Sequence, residues 1–318
     1  MKKILITGAS GFIGSFLIEE ALNKGWQTWA GIRKSSSREY LQDARIQFID
    51  LNFADKKSLR EQLLAHVEKY GPWDYVIHNA GVTKCLNTAD FEKVNALYTR
   101  HFIETLREIN AIPEKFLLMS SLSAFHPNTA YGRSKQKAEQ FLEAQTGFPF
   151  IILRPTGVYG PREKDYFLML KTIQNGLDVT AGFETQKLTF IYVKDLVQAA
   201  FLALESPIQN KAYFVTDGKV YSDDEYTRIA KNALGKKQVL KMRVPLAVLK
   251  AVCTVSEEFS KFTGKPATLN RDKYNIMKQR DWTCDTLPLE KDLSFKAGYD
   301  LQRGMQECVK WYRTNGWL

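Results

Sequence analysis

Tyr131 and Lys135 are separated by one helical turn in Tyr131-Gly132-Arg133-Ser134-Lys135, so a helix through this segment sets both side chains on one face. A phenol ordinarily ionises near about pH 10, too high for acid–base work at neutrality, and an ammonium beside it lowers that value by stabilising the phenolate. Tyrosine and lysine at this spacing also occur as plain surface decoration. Two other segments lift the pair above that reading. A serine-rich stretch, Ser120-Ser121-Leu122-Ser123, lies just upstream, and Thr7-Gly8-Ala9-Ser10-Gly11-Phe12-Ile13-Gly14 lies near the start of the chain.

The glycine string falls between an apolar run, Lys3-Ile4-Leu5-Ile6, and a helical pattern over Phe12 to Asn23. Glycines there permit a tight turn, close approach of backbone to a pyrophosphate, and packing of helix on strand; the helix N-terminus then offers N–H groups to phosphate. Alone, such a string is an ordinary turn, but between a strand and a helix it points to a dinucleotide held by Gly8, Ser10, Gly11, Phe12, Ile13 and Gly14. The second strand ends in Ala30-Gly31-Ile32-Arg33-Lys34-Ser35-Ser36-Ser37-Arg38, without the acid that usually holds the adenosine ribose of NAD. Arg33, Lys34 and a serine suit the 2′-phosphate of NADP, so NADP(H) is favoured and NAD(H) stays possible; a solvated basic loop is the plainer alternative. Asp50, closing the third strand, is placed to bond an adenine amino group or is a simple strand-end polar residue.

The elements that must position these residues follow from hydrophobic periodicity. Strands are expected at 3–6, 28–32, 46–51, 75–77, 116–119 and 150–153, and helices at 12–23, 58–69, 90–108 and 131–145. Short, nearly all-apolar strands alternating with helices imply an α/β Rossmann fold, a doubly wound parallel sheet covered on both faces. After Gly160 the alternation breaks down and aromatics increase. The expected organisation is a dinucleotide-binding domain over 1–160 with a returning segment at 188–215, and a smaller C-terminal substrate-binding lobe from 161–187 and 216–318.

Composition narrows the classes. Of 318 residues, 44% are hydrophobic and 25% charged, which excludes a disordered or fibrous chain. The net charge of +10 is spread without a basic block, which argues against a nucleic-acid partner and fits an anionic ligand. No apolar run approaches the roughly 18 residues of a membrane span, the apolar start ends too soon for a secretory signal, and Cys85, Cys253, Cys284 and Cys308 lack disulfide or zinc spacing. His66, His78, His101 and His126 have no ligand spacing either, so no metal is expected. A cytoplasmic enzyme with a small-molecule substrate and no membrane partner is the expectation.

Taken in order, several segments resemble those of the extended short-chain dehydrogenases/reductases, the group described as NAD-dependent epimerase/dehydratase. They are Gly8/Gly11/Gly14, Asp50-Leu51, His78-Asn79-Ala80-Gly81, Asn95 in Val94-Asn95-Ala96, and Ser120-Ser121. Tyr131/Lys135, Arg154-Pro155-Thr156-Gly157-Val158-Tyr159-Gly160-Pro161 and Phe190-Ile191-Tyr192-Val193-Lys194-Asp195 complete the series. The resemblance implies that Tyr131 exchanges a proton with a substrate oxygen, that Lys135 lowers its pKa and bonds the nicotinamide ribose, and that Ser121, or else Ser123, bonds the substrate carbonyl or alcohol. It also implies that Asn95 supports a water relay behind the lysine, although a helix-interior Asn bonding backbone fits as well. Asp50, Leu51, Asn79, Ala80, Gly81, Pro155 and Val158 would line the cofactor, and homodimers are common in the group.

The same resemblance bears on substrate. Thr156-Gly157 and Lys187-Leu188-Thr189-Phe190 lack the Asn and Arg that sugar-nucleotide enzymes of this group tend to carry, and Ala124-Phe125-His126-Pro127 replaces their usual Val-Tyr-Gly. The chain therefore leans toward the branch resembling dihydroflavonol reductases and 3β-hydroxysteroid dehydrogenases, which interconvert a ketone and a secondary alcohol. Lys187, Arg162 or Arg243 holding a phosphate would restore the epimerase/dehydratase reading, and a non-catalytic dinucleotide sensor is a third, although such proteins generally lose the tyrosine or lysine. Leu246, Leu249, Val252, Cys253 and Phe259 predict a helix over 245–262 that caps the pocket or packs on the core; in eukaryotic relatives such a segment can bind membrane, but Lys250 and Glu257 interrupt it here. The end, from Trp311 to Leu318, predicts a docked last helix with Trp282 nearby.

Overall fold

Residues 1–264 and 267–318 are described by the computed structural model, and they form two compact units. The first comprises Met1–Arg154 and Val197–Tyr213; the second comprises Pro155–Leu196 and Phe214–Leu318.

The first unit carries β1 (Lys3–Thr7), α1 (Phe12–Asn23), β2 (Gln27–Ile32), β3 (Gln47–Asp50), α2 (Lys56–Tyr70) and β4 (Tyr75–His78). There follow α3 (Ala89–Phe91), a π-helical turn Glu92–Leu97, α4 (Tyr98–Glu108), β5 (Lys115–Met119), α5 (Ala130–Glu143) and β6 (Phe150–Pro155). The strands lie in the order β3-β2-β1-β4-β5-β6, with the strand Lys211–Val215 beyond β6, and every pair from β3 to β6 is parallel. This is a Rossmann sheet, and its strand order reverses between β1 and β4, where ligands of such sheets bind beyond the strand ends. The apolar strands are covered on both faces: β4 and β5 are buried throughout, and Leu5, Trp29, Val76, Phe102, Phe116 and Ile152 share one core.

Observed boundaries follow the sequence expectations to within a few residues, with one difference in kind. The single helix expected over 90–108 is interrupted by the π-helical turn, which contains Asn95. The side chain of Asn95 is buried and bonded to Val82 and Ser134, contacts that a purely periodic reading cannot anticipate. Such a turn commonly marks a functional site in a helix.

The second unit is built from short strand pairs and helices. Gly157–Tyr159 pairs with Phe190–Tyr192, Leu177–Ala181 with Leu240–Val244, and Lys187–Leu188 with Tyr221–Ser222. Its core is aromatic, joining Tyr159, Phe190, Tyr192, Tyr221, Tyr226 and Tyr312 to Leu301 and Met305 of the last long helix, Leu301–Thr314. The helix expected over 245–262 is present as Leu246–Thr263. Only part of its apolar stripe is covered: Leu249 and Cys253 are buried near Ala181, whereas Val252 and Phe259 are 45% and 66% exposed. At 3.6 residues per turn, positions 252 and 259 lie about 60–80° round the helix from Leu249, on the edge of the same stripe that faces away from Cys253. Among the described residues, no helix is long and apolar enough to cross a membrane.

Candidate active site

The glycine turn leaves β1 at Gly8, whose φ of +65° an L side chain rarely adopts, and a Cβ there would sit 2.8 Å from Asn79 O and Ala80 N. A Cβ on Gly14 would overlap the Gly8 carbonyl oxygen, so that glycine is needed for α1 to pack against the turn. Gly11 differs. It is exposed, its φ of −80° suits any residue, and a Cβ would meet only Gly8 O within 4 Å, at 3.3 Å. It also stands at the N-cap of α1 with no side-chain cap over the first-turn N–H groups. Open space above uncapped N–H groups is what a pyrophosphate requires, so this turn fits a dinucleotide. Ser10, Phe12 and Ile13 are partly exposed at the same helix opening.

Asn79, Ala80 and Gly81 follow β4, next to β1 in the sheet. Asn79 Nδ2 donates to Gly8 O at 3.4 Å and Ala80 N to Thr7 Oγ1 at 3.2 Å, which brings the two turns together. At Gly81 a Cβ would lie 2.9 Å from Asn95 Oδ1 and 3.3 Å from Lys135 Nζ, so Gly81 joins the dinucleotide turns to the lysine. Arg33 and Lys34 are exposed at the end of β2, in a turn closed by Ser36 N to Arg33 O (2.9 Å) and Arg33 N to Ser36 Oγ (3.1 Å). Ile32 pairs in register with Asp50, so the basic loop and Asp50 leave adjacent strand ends. Leu51 is wholly buried in the core, which leaves its backbone for any ligand contact. Pro155 and Val158 belong to the second unit.

Helix α5 carries Tyr131 and Lys135. Thr129 caps it by accepting from Gly132 N at 2.9 Å, and a Cβ on Gly132 would overlap Ser123 O, so the helix presses directly on the serine segment. Tyr131 and Ser121 are thereby hydrogen-bonded, and Phe91 lies edge-on to the tyrosine ring at 6.1 Å. Lys135 is buried and donates to Met119 O at 2.9 Å. Burial lowers its pKa to about 8 despite the nearby Glu139 carboxylate. The expected acidification of the tyrosine is corrected: burial pushes the Tyr131 phenol above its ordinary value, and the Ser121 hydrogen bond only partly opposes that. Desolvation of a phenolate outweighs the hydrogen bond from Ser121, so Tyr131 holds its proton at neutrality.

Asn95 accepts from Val82 N at 2.8 Å and donates to Val82 O and Ser134 Oγ, both at 3.0 Å. Its amide is thus bonded to backbone and to Ser134, and it contributes to the site as a clasp between α5 and the loop after Gly81. One ion pair escaped the sequence reading. Glu139, one further turn along α5 from Lys135, receives Arg154 Nε and Nη2 at 3.0 and 2.7 Å and the Ser120 hydroxyl. Removing one partner of so buried a pair costs on the order of 3–5 kcal/mol, so Glu139 fixes α5 against the strand end that carries Ser121. The spacing Tyr131, Lys135, Glu139 was the available signal.

The description NAD dependent epimerase/dehydratase belongs to the family model that matches residues 4–216. The chain belongs to this family. Its members include NAD(P)-dependent enzymes of the extended short-chain dehydrogenase/reductase type, and the chain is such an enzyme. Among curated relatives, it is 25% identical over 319 residues to the ceramide reductase of Caulobacter vibrioides, covering 99% of this chain and 96% of the relative. It is also 25% identical over 361 residues to the dTDP-glucose 4,6-dehydratase of Haemophilus influenzae, covering 99% of each. The 3 beta-hydroxysteroid dehydrogenase/Delta 5-->4-isomerase of Mycobacterium tuberculosis is 22% identical, covering 98% of this chain and 90% of the relative. Of solved structures, the NAD complex of dTDP-glucose 4,6-dehydratase from Bacillus anthracis superimposes with a TM-score of 0.77 at 18% identity, covering 99% and 97% of the two chains.

Proposed function

We propose that this enzyme is an NADP(H)-dependent oxidoreductase that interconverts a ketone and a secondary alcohol on a largely apolar substrate. The observation that carries the reading is the hydrogen bond between Ser121, after β5, and Tyr131, which shares α5 with the buried Lys135. A nicotinamide dinucleotide supplies or takes up the hydride. The protein's own part is then to hold the carbonyl oxygen with the Ser121 hydroxyl and to deliver the Tyr131 proton to it. A phenol whose pKa lies above its ordinary value is protonated at neutrality, which suits reduction. Lys135 keeps its Nζ beside Met119 O and Gly81, where its two remaining protons are available to ribose hydroxyls.

NADP is supported by the exposed Arg33 and Lys34 at the end of β2. An apolar substrate is supported by the relatives named ceramide reductase and 3 beta-hydroxysteroid dehydrogenase. Segments 161–187 and 216–318 are assigned to the substrate on the same reading. The nucleotide-sugar alternative is favoured by the full-length likeness to the dTDP-glucose 4,6-dehydratase. Against it, two of its candidate phosphate anchors are engaged: Lys187 pairs with Asp281 at 3.7 Å, and Arg243 with Asp223 at 3.5 Å and Phe183 O at 3.0 Å.

The test is oxidation of NADPH and NADH against panels of apolar ketones and of nucleotide sugars. NADPH consumption with a ketone is the expected result, lost by about a hundredfold or more in Tyr131→Phe with dinucleotide affinity retained. Sugar-nucleotide conversion with tightly retained NAD and no net redox change would replace this reading.

A further inference from the structure

His78, the last residue of β4, takes no part in the proton transfer just described. It is 1% exposed, with its ring among Phe53, Phe102 and Phe116 at centroid distances of 5.7, 5.2 and 6.0 Å. Burial, reinforced by the charge of Lys135, lowers its pKa to about 3, so the ring is neutral and has a single N–H. Its neighbours determine which nitrogen bears it. Thr99 Oγ1 donates its one proton to the Asn95 backbone oxygen at 2.8 Å, so toward His78 Nε2, 3.0 Å away, it can only accept. Nε2 therefore holds the hydrogen and Nδ1 is bare. On the other side Thr7 Oγ1 stands 2.9 Å from Nδ1 and accepts from Ala80 N at 3.2 Å, so its own proton is directed at Nδ1. Every donor and acceptor agrees in direction from Ala80 N–H through Thr7, His78 and Thr99 to the Asn95 carbonyl.

We infer that His78, as the Nε2–H tautomer, is a positioning residue that ties the turn at Ala80 to the Asn95 carbonyl through Thr7 and Thr99. One end of this chain is the turn packed on Gly8, and the other is the π-helical turn whose Asn95 reaches Ser134 and approaches Gly81 beside Lys135. The dinucleotide turn and the lysine side of the site are therefore set by one connected path. Aligned hydrogen bonds in a buried chain polarise one another, so cutting one link weakens the rest. The role rests on the proposed reading only for the dinucleotide itself.

Two measurements test it. In spectra of protein with 15N-labelled histidine, His78 should show a protonated Nε2 and an unprotonated Nδ1, unchanged from pH 5 to pH 9. A protonated Nδ1, or titration in that range, overturns the assignment. In the second measurement, Thr99→Val keeps the size of the side chain and removes the far link, leaving Thr7 and Ala80 intact. Dinucleotide affinity at that distant turn should fall about threefold to tenfold in Thr99→Val, and similarly in His78→Phe, while Thr99→Ser restores it. Unchanged affinity in a Thr99→Val protein with a lowered melting temperature would reduce His78 to a packing role. A wild-type chain that binds neither NAD nor NADP overturns the functional reading and this role together, whereas wild-type binding matched by Thr99→Val overturns the His78 role alone.

Discussion

Lys135 shows how the environment sets the chemistry of a single side chain. Burial costs its charged form more than Glu139 returns, and the net result is a pKa of about 8 against an ordinary 10.5. Two consequences differ in sign. For folding, the unfolded chain binds the proton more tightly, so this residue's cost is fully present below pH 8 and is relieved as pH rises from 8 toward 10.5. In the proposed role of Lys135 the ammonium is the form that bonds the ribose, so dinucleotide affinity should fall as pH rises through 8. Fluorescence titrations at pH 6.5 to 9.5 check this, and Lys135→Arg, which stays charged, should flatten the profile. The tyrosine and lysine are recognisable in the sequence because their spacing is local. The direction of the Tyr131 shift is not, because it depends on what the fold packs around the phenol.

Helix α5 owes its position to a residue with no side chain. Gly132 lets the first turn lie against Ser123 O, and the consequence is the contact between Ser121 and Tyr131. Gly132→Ala forces the helix or the serine segment to move, at a cost of roughly 1–3 kcal/mol. The expected outcome is a melting temperature lowered by a few degrees together with a larger loss of kcat than of dinucleotide affinity, measured by thermal unfolding and steady-state kinetics. The helix itself was legible from its periodicity, and the strands from their apolar runs. The π-helical turn before α4 was not, because its partners Val82 and Ser134 are remote in sequence and the apolar spacing through 90–108 carries no mark of the extra residue. The stripe over 245–262 was legible as a helix, but not which part of it is covered: Leu249 and Cys253 are buried, while Val252 and Phe259 on the edge of the same stripe are exposed.

Charge acts on the chain as a whole. A balance of +10 attracts anions at long range, and in the proposed NADP reading the exposed Arg33 and Lys34 add a local contact for the 2′-phosphate. Raising the salt concentration should therefore weaken NADP more steeply than NAD, and Arg33→Asp should lower NADP affinity about tenfold or more with little effect on NAD. Calorimetric titration of both dinucleotides checks the pair of expectations; equal losses would remove the argument for NADP. The sequence made the Rossmann sheet plain but gave the division between units less sharply, since Val197–Tyr213 returns to the first unit without a composition change to announce it. That return also orders events during synthesis. The strand Lys211–Val215 that covers the outer side of β6 is translated only after the whole excursion through Pro155–Leu196. Until then a nascent chain leaving the ribosome presents an apolar strand edge with nothing paired to it, the kind of surface that chaperones shield and that unfinished chains use to aggregate.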